Sequence, residues 1–406
     1  MRTDALLRAG RNRTVQALIG AAFILYLVYH LTRFDLAQVW PLVPVGDAAI
    51  LFEASRSIFA RAAYPDATFP YSPSAVVLFR GLGLVGPAIF MLGWYVLMIA
   101  GLIVSVRAAL TQERAEVRAA WPLIGAFAVI LANSPISWDL RNANSNLVYL
   151  GLAMAGYALA GRMPRWAGTL VGLSISLKLY SGLLLGWLFV NGPRRMFYAG
   201  LAAVIVLWLV LPIVFFGFDG TIQLYLGWRK QVEHIGDLAY HASMAAQHSQ
   251  VPIVTLHKAI VNLTGESFQS PRVAALVWTL RAIWVAALAW YAWRCRHHLL
   301  AGIPSRAALA DWTVLLIAPL PFSPWLEPYH AIPLLVGAVL LIAIALDEQI
   351  ERRDRLTVLA ALAIMALFLV IRVPFAVRGL GMLAQFLVLT TALGLLRPRL
   401  ARSPAG

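Results

Sequence analysis

Apolar runs of roughly membrane-spanning length, separated by short arginine-bearing segments, recur from Thr14 to Leu396. A helix needs about 20 such residues to cross roughly 30 Å of hydrocarbon, so the pattern predicts an all-α polytopic membrane protein. Of the 406 residues 61% are hydrophobic and 13% charged, about half the charge of a soluble domain, and the mean hydropathy is +0.76. The length then bounds the number of crossings at about ten to twelve. The single cysteine, Cys295, excludes a disulfide framework and a cysteine-based metal site. The net charge of +15 sits in twos and threes between apolar runs. No long basic stripe exists, so the charge reads as a topology signal and nucleic acid is not an expected partner.

Basic clusters set the path through the membrane. Arg2, Arg8, Arg11 and Arg13 keep the N-terminus cytosolic before a first span, 14–31, which is too long for the core of a signal peptide. Residues 33–73 form the first outer loop, with an interfacial helix at 48–61. One apolar stretch, 75–106, broken by Gly81, Gly83, Gly86 and Pro87, returns to Arg107, Arg114 and Arg118; spans at 119–132 and 147–160 flank an outer polar segment, 133–146. A span over 197–216 leads to a second large outer segment, 217–271, and further spans follow at 274–293, 307–320, 332–346, 357–371 and 380–396. The path gives about ten full crossings in one integral membrane domain, 1–406, with both termini cytosolic and the cell's inner (plasma) membrane as its place.

The run 166–190 breaks the alternation. Arg162 and Arg165 precede it and Arg194 and Arg195 follow, so both ends read as cytosolic, and a single helix would leave Lys178 near mid-membrane. A re-entrant pair of half-helices turning near Lys178 and Ser181 resolves both conflicts. Lys178 either snorkels or pairs for stability, or offers its ammonium to a phosphate.

The outer polar residues concentrate around Asp47, at 139–146, at 247–258 and at 327–330. Such segments, joined by a cation dipping into the membrane, suit processing of a water-soluble group on a lipid carrier. Asp47 opens a helix, which fits an N-cap or a general base. Arg141 fits an interfacial anchor, a salt bridge to Asp139, or a phosphate contact. Glu327 and His330 fit satisfied interfacial groups or donors beside a phosphate. His234, His241 and His248 recur every seven residues, about 10.5 Å apart along a helix, which is too far for one metal. With no Asp-x-Asp or His-x-x-Glu-His motif, neither a metal nor any other cofactor is expected.

Gly46-Asp47, with the following helix, Tyr64-Pro65 and Tyr71-Ser72-Pro73, resembles the first-loop motif of glycosyltransferase family 87. That family is a polyprenyl-phosphate-sugar-dependent branch of the GT-C membrane fold which includes phosphatidylinositol-mannoside mannosyltransferases. Further stretches match in order. Arg141 to Leu147 is similar to a Gly-Gln-x-Asn-Leu segment, with Ala143 and Asn144 where Gly and Gln are usual, and Asn146 on its Asn. Residues 172–179 resemble a Gly-rich hairpin ending in Lys, with Ser181 where Pro is common. Residues 323–330 resemble a shortened Ser-Pro-x-x-Trp-x-His-His region, and Gln247-His248-Ser249 an Asn-Gln-Ser motif.

The resemblance implies a GT-C fold and a catalytic base at Asp47. It implies donor-phosphate or substrate contacts at Lys178, Arg141, His330, Glu327, Asn146, Asn144, Tyr71 and His248. The implied partners are a polyprenyl-phosphate-linked sugar and a glycolipid or glycan acceptor, within membrane lipids. A hexose, best matched by mannose, follows from the family alone. One carboxylate opposite the leaving phosphate implies inversion, since retention needs a second carboxylate about 5 Å away; Glu53 and Asp66 are the neighbouring candidates. The rival reading is a secondary transporter or lipid flippase with Lys178 and Arg281 as intramembrane charges.

Overall fold

In the computed structural model the apolar runs fold as helices, and no strand occurs among the described residues, which are 3–32, 46–61, 71–236, 256–296, 303–323, 328–370 and 378–401. Among the described residues, five helices are long and apolar enough to cross a membrane, or up to seven if each of two sharply bent pairs is one span. This establishes a helical membrane protein. The count of ten crossings also relies on shorter apolar helices such as Asn146–Leu159.

The chain forms two compact units. One comprises Tyr26–Ser105 and Ile136–Tyr240; the other comprises Met1–Leu25, Val106–Pro135 and His241–Gly406. In the first, glycines let helix backbones touch. Gly168 and Gly172, four residues apart on helix Pro164–Leu177, cross helix Arg194–Ile205 at Gly200. A Cβ on Gly168 would meet the carbonyl of Met196, and one on Gly172 would lie 2.7 Å from the carbonyl oxygen of Gly200. Small residues at this spacing permit close helix packing in lipid, where apolar burial drives little association. Gly101 and Gly151 form a second such contact, between helices Pro87–Ala109 and Asn146–Leu159.

In the second unit, ion pairs tie helix ends together. Arg306 bridges Glu113 and Asp347, and Arg114 also reaches Asp347, at 2.5 Å. Burial works against charge on Asp347, yet Arg306, the Gln349 amide and Arg114 outweigh it and hold the carboxyl below its usual range. Deeper in, Arg397 grips Asp311 with two bonds of 3.0 Å, Nε to Oδ1 and Nη2 to Oδ2, and the Tyr291 hydroxyl donates to Oδ1 at 2.7 Å. Cys295 is buried beside this cluster.

The break expected within 75–106 is present: Gly83, Gly86 and Pro87 separate helix Pro73–Gly83 from helix Pro87–Ala109. The polar segment 133–146 is helical over Asn133–Arg141. The helix breaks at Gly217, the residue at which the outer segment was expected to begin; its φ of 70° lies in the region open to glycine, and a further helical limb follows to Gly236. The limb after the kink folds back on the π-turn Val206–Val210: the Tyr225 hydroxyl donates to the Trp208 carbonyl at 2.5 Å, and their rings stack at 5.9 Å. Hydropathy falls after Gly217, where Asp219, Gln223, Arg229, Lys230 and Glu233 follow a run without charge, but that fall alone does not show the fold-back.

Candidate active site

Helix Pro164–Leu177 ends at Lys178, whose backbone is extended (φ −143°, ψ 114°). A 3₁₀ turn, Leu179–Ser181, then leads into helix Gly182–Asn191. Breaking a helix in an apolar setting frees backbone groups that must find new partners, and serines supply them. The Ser181 hydroxyl donates to the Lys178 carbonyl at 2.9 Å, while Ser174 donates to the Tyr149 carbonyl at 3.0 Å. The hydroxyls of Ser72 and Ser74 both donate to the Ser176 carbonyl at 3.3 Å. Those last two bonds dock the start of helix Pro73–Gly83 against the broken end and bring Tyr71 to Lys178. The Lys178 ammonium lies 4.6 Å from the centroid of the Tyr71 ring, within cation–π range.

Asp47 arrives from the other side. Its helix, Gly46–Arg61, packs Phe52 against Phe90, ring centroids 5.0 Å apart, and the Asp47 amide donates to the Asn142 carbonyl at 2.9 Å. Gly46 has φ 55°, and a Cβ there would strike that carbonyl, so only glycine fits this turn. The loop after helix Asn133–Arg141 is fixed by Ala143 at φ 44° and by Trp94, which donates to the Ala143 carbonyl at 2.8 Å.

These contacts converge on one oxygen. Asp47 Oδ2 accepts from the Tyr71 hydroxyl at 3.0 Å and from the Asn144 side-chain amide. Oδ1 has no hydrogen-bond partner among the described residues, and Asp47 remains partly accessible. Burial pushes its carboxyl above the usual carboxylate range, against the opposing pull of Lys178, Tyr71 and Asn144. A carboxylate with one oxygen anchored, the other open and its proton affinity raised is equipped to take a proton.

Asp139 lies beneath and is fully buried. Its oxygens accept from the Asn146 amide at 2.9 Å and from the Leu147 backbone amide at 3.0 Å. The same Asn146 amide nitrogen donates to Asn144 Oδ1 at 2.8 Å, and the Ser145 backbone amide does so at 2.7 Å. With Oδ1 thus occupied as an acceptor, the Asn144 amide presents its NH₂ to Asp47. Asp139 forms no ion pair with Arg141 among the described residues, and Arg141 Nε is buried without a hydrogen-bond partner.

Sequence reasoning named Asp47, Tyr71, Asn144, Asn146 and Lys178, and the fold brings these five into one network. Arg141 lies on the same loop. It did not name Asp139 or Ser145 as site residues; a buried Asp just before an Asn-rich turn was the available signal. His330 belongs to the other compact unit, buried in the turn Pro328–Ala331 with its ring 4.7 Å from that of Tyr329. Glu327 and His248 lie outside the described residues, as does Asp66. Glu53 points away from the network, exposed and six residues along the helix from Asp47, about 9 Å of rise. Among the described residues no three His, Cys, Asp or Glu side chains gather as a metal site requires.

No curated protein and no solved structure gives a significant match. The family model for glycosyltransferase family 87 matches residues 69–319, a range that holds Tyr71, the 139–147 network and Lys178 and stops short of Asp47 and His330. That match covers more than half of the sequence, and the chain belongs to glycosyltransferase family 87.

Proposed function

We propose that this glycosyltransferase moves a hexose, with mannose as the family's suggestion, from polyprenyl phosphate to a glycolipid or glycan acceptor on the extracytoplasmic face of the bacterial inner membrane. The supporting observation is that Asp47, with its open oxygen, and the Lys178 ammonium both meet Tyr71, one at its hydroxyl and the other at its ring. Asp47 takes the proton of the acceptor hydroxyl as that oxygen attacks the anomeric carbon. Lys178 stabilises the charge that grows on the departing phosphate. Asp139, the other carboxylate of the network, is fully buried with its oxygens held by Asn146 and Leu147 and so is not open to a substrate as a nucleophile, which favours single displacement with inversion. In this reading residues 166–190 are a re-entrant hairpin presenting Lys178, both termini are cytosolic, and no metal takes part. Incubating purified protein with polyprenyl-phosphate sugars and a membrane glycolipid extract should release polyprenyl phosphate; no release with any sugar would remove the assignment.

Transfer requires ionised Asp47, so the rate should fall as pH drops through a midpoint above the ordinary value of about 4. Single-turnover rates against pH test this, and a profile flat down to pH 4 would contradict it. Lys178→Met should weaken donor binding and slow the chemical step by roughly 10²-fold, because the interaction strengthens as phosphate leaves. Lys178→Arg should recover part of the loss. Donor titration with single-turnover kinetics decides, and unchanged affinity and rate in a folded Lys178→Met enzyme would return the lysine to a structural role.

A further inference from the structure

The proposed reaction leaves one membrane charge unused. Arg281 lies ten residues into helix Pro271–Cys295, an apolar span most of whose surface is exposed. A guanidinium facing lipid is costly unless an anion meets it. The ion pairs among the described residues all use other arginines. Arg281 Nε donates to the Pro321 carbonyl at 3.3 Å, and its guanidinium carbon lies 5.0 Å from the ring centroid of Trp278 and 5.9 Å from that of Phe322. The side chain is therefore held against the protein, and neither Nη has an acceptor among the described residues.

Position and surroundings narrow the missing anion. Arg281 stands thirteen residues before Arg294, about 20 Å of helix, and helical side chains lean toward the N-terminus. In roughly 30 Å of hydrocarbon this sets the guanidinium near the boundary opposite the arginine-rich end, the level that tryptophan favours. The neighbouring surface is apolar and open: Leu276, Trp278, Ile283 and Phe322 are all exposed. An anion reaching this point must carry hydrocarbon with it.

We propose that Arg281, clamped by Trp278 and Phe322, binds the phosphate of a membrane phospholipid, its two Nη groups forming a bidentate fork with phosphate oxygens while the acyl chains lie on the exposed apolar face. The proposal does not depend on how the transfer reaction is assigned.

The test uses delipidated full-length protein titrated with phosphatidylglycerol, read by native mass spectrometry and by the shift in unfolding temperature. Inorganic phosphate and uncharged diacylglycerol serve as competitors. Phosphatidylglycerol should bind, Arg281→Gln should weaken it on the order of 10- to 100-fold, and Arg281→Lys should fall between. Neither competitor should displace it. Trp278→Leu keeps the charge and removes one clamp, so it should weaken binding several-fold and provides a second variant if Arg281→Gln fails to fold. Equal binding by wild type and both glutamine and leucine variants would overturn the proposal. So would displacement by inorganic phosphate, or retention of polyprenyl phosphate alone.

Discussion

Asp47→Asn should lower turnover by roughly 10²–10⁴-fold, the usual contribution of a positioned general base, with donor affinity nearly unchanged. The substitution removes the proton acceptor and little else: an asparagine carbonyl at this position can still accept from Tyr71 and Asn144, and the volume is almost conserved. The helix start should survive as well, because it rests on Gly46 and on the backbone bond to Asn142, neither of which involves the carboxylate. Single-turnover transfer by purified enzyme, with donor binding and thermal unfolding measured on the same sample, separates the outcomes. Turnover within tenfold of wild type would end the case for Asp47 as base, and a loss of folded protein would assign it to capping the helix.

The largest effect on stability should come from Asp311→Asn, at about 3–5 kcal/mol, the range seen when one partner of a buried ion pair is removed. The Arg397 side chain is 0% exposed and that of Asp311 6%, so the guanidinium would keep its desolvation cost without the carboxylate that offsets it. Replacing both partners, Asp311→Leu with Arg397→Met, should restore much of the loss, because no buried charge then remains. Unfolding titrations in detergent on both single variants and the double variant give the coupling directly. A single-variant cost below about 1 kcal/mol would mean that water reaches the pair.

What the sequence disclosed follows from which forces act locally. The break at Lys178 was legible because a lysine deep in an apolar run, flanked by arginines at both ends, violates two membrane rules at once. Asp47, Tyr71, Asn144 and Asn146 were legible through motif order, which places residues in a common set without saying how they touch. Their geometry was not, because the deciding bonds join positions far apart in the chain: Asn144 to Asp47, and Ser72 and Ser74 to Ser176. The role of Asp139 was hidden for a related reason, since an aspartate six residues into a short helix reads as surface until the fold closes over it. The end of the apolar run at Gly217 was legible from the polar residues after it, but the reversal was not, because it depends on a single positive φ.

The crossing at Gly172 and the ammonium of Lys178 are joined by residues 173–177 alone. One end of this piece is clamped backbone to backbone, so it works as a ruler: deleting or inserting one residue would swing Lys178 about 100° around the helix axis and shift it about 1.5 Å along it. The side chains of these five residues can therefore vary, within what packing allows, more freely than their number, and an insertion here would misplace the cation without touching any group that meets substrate.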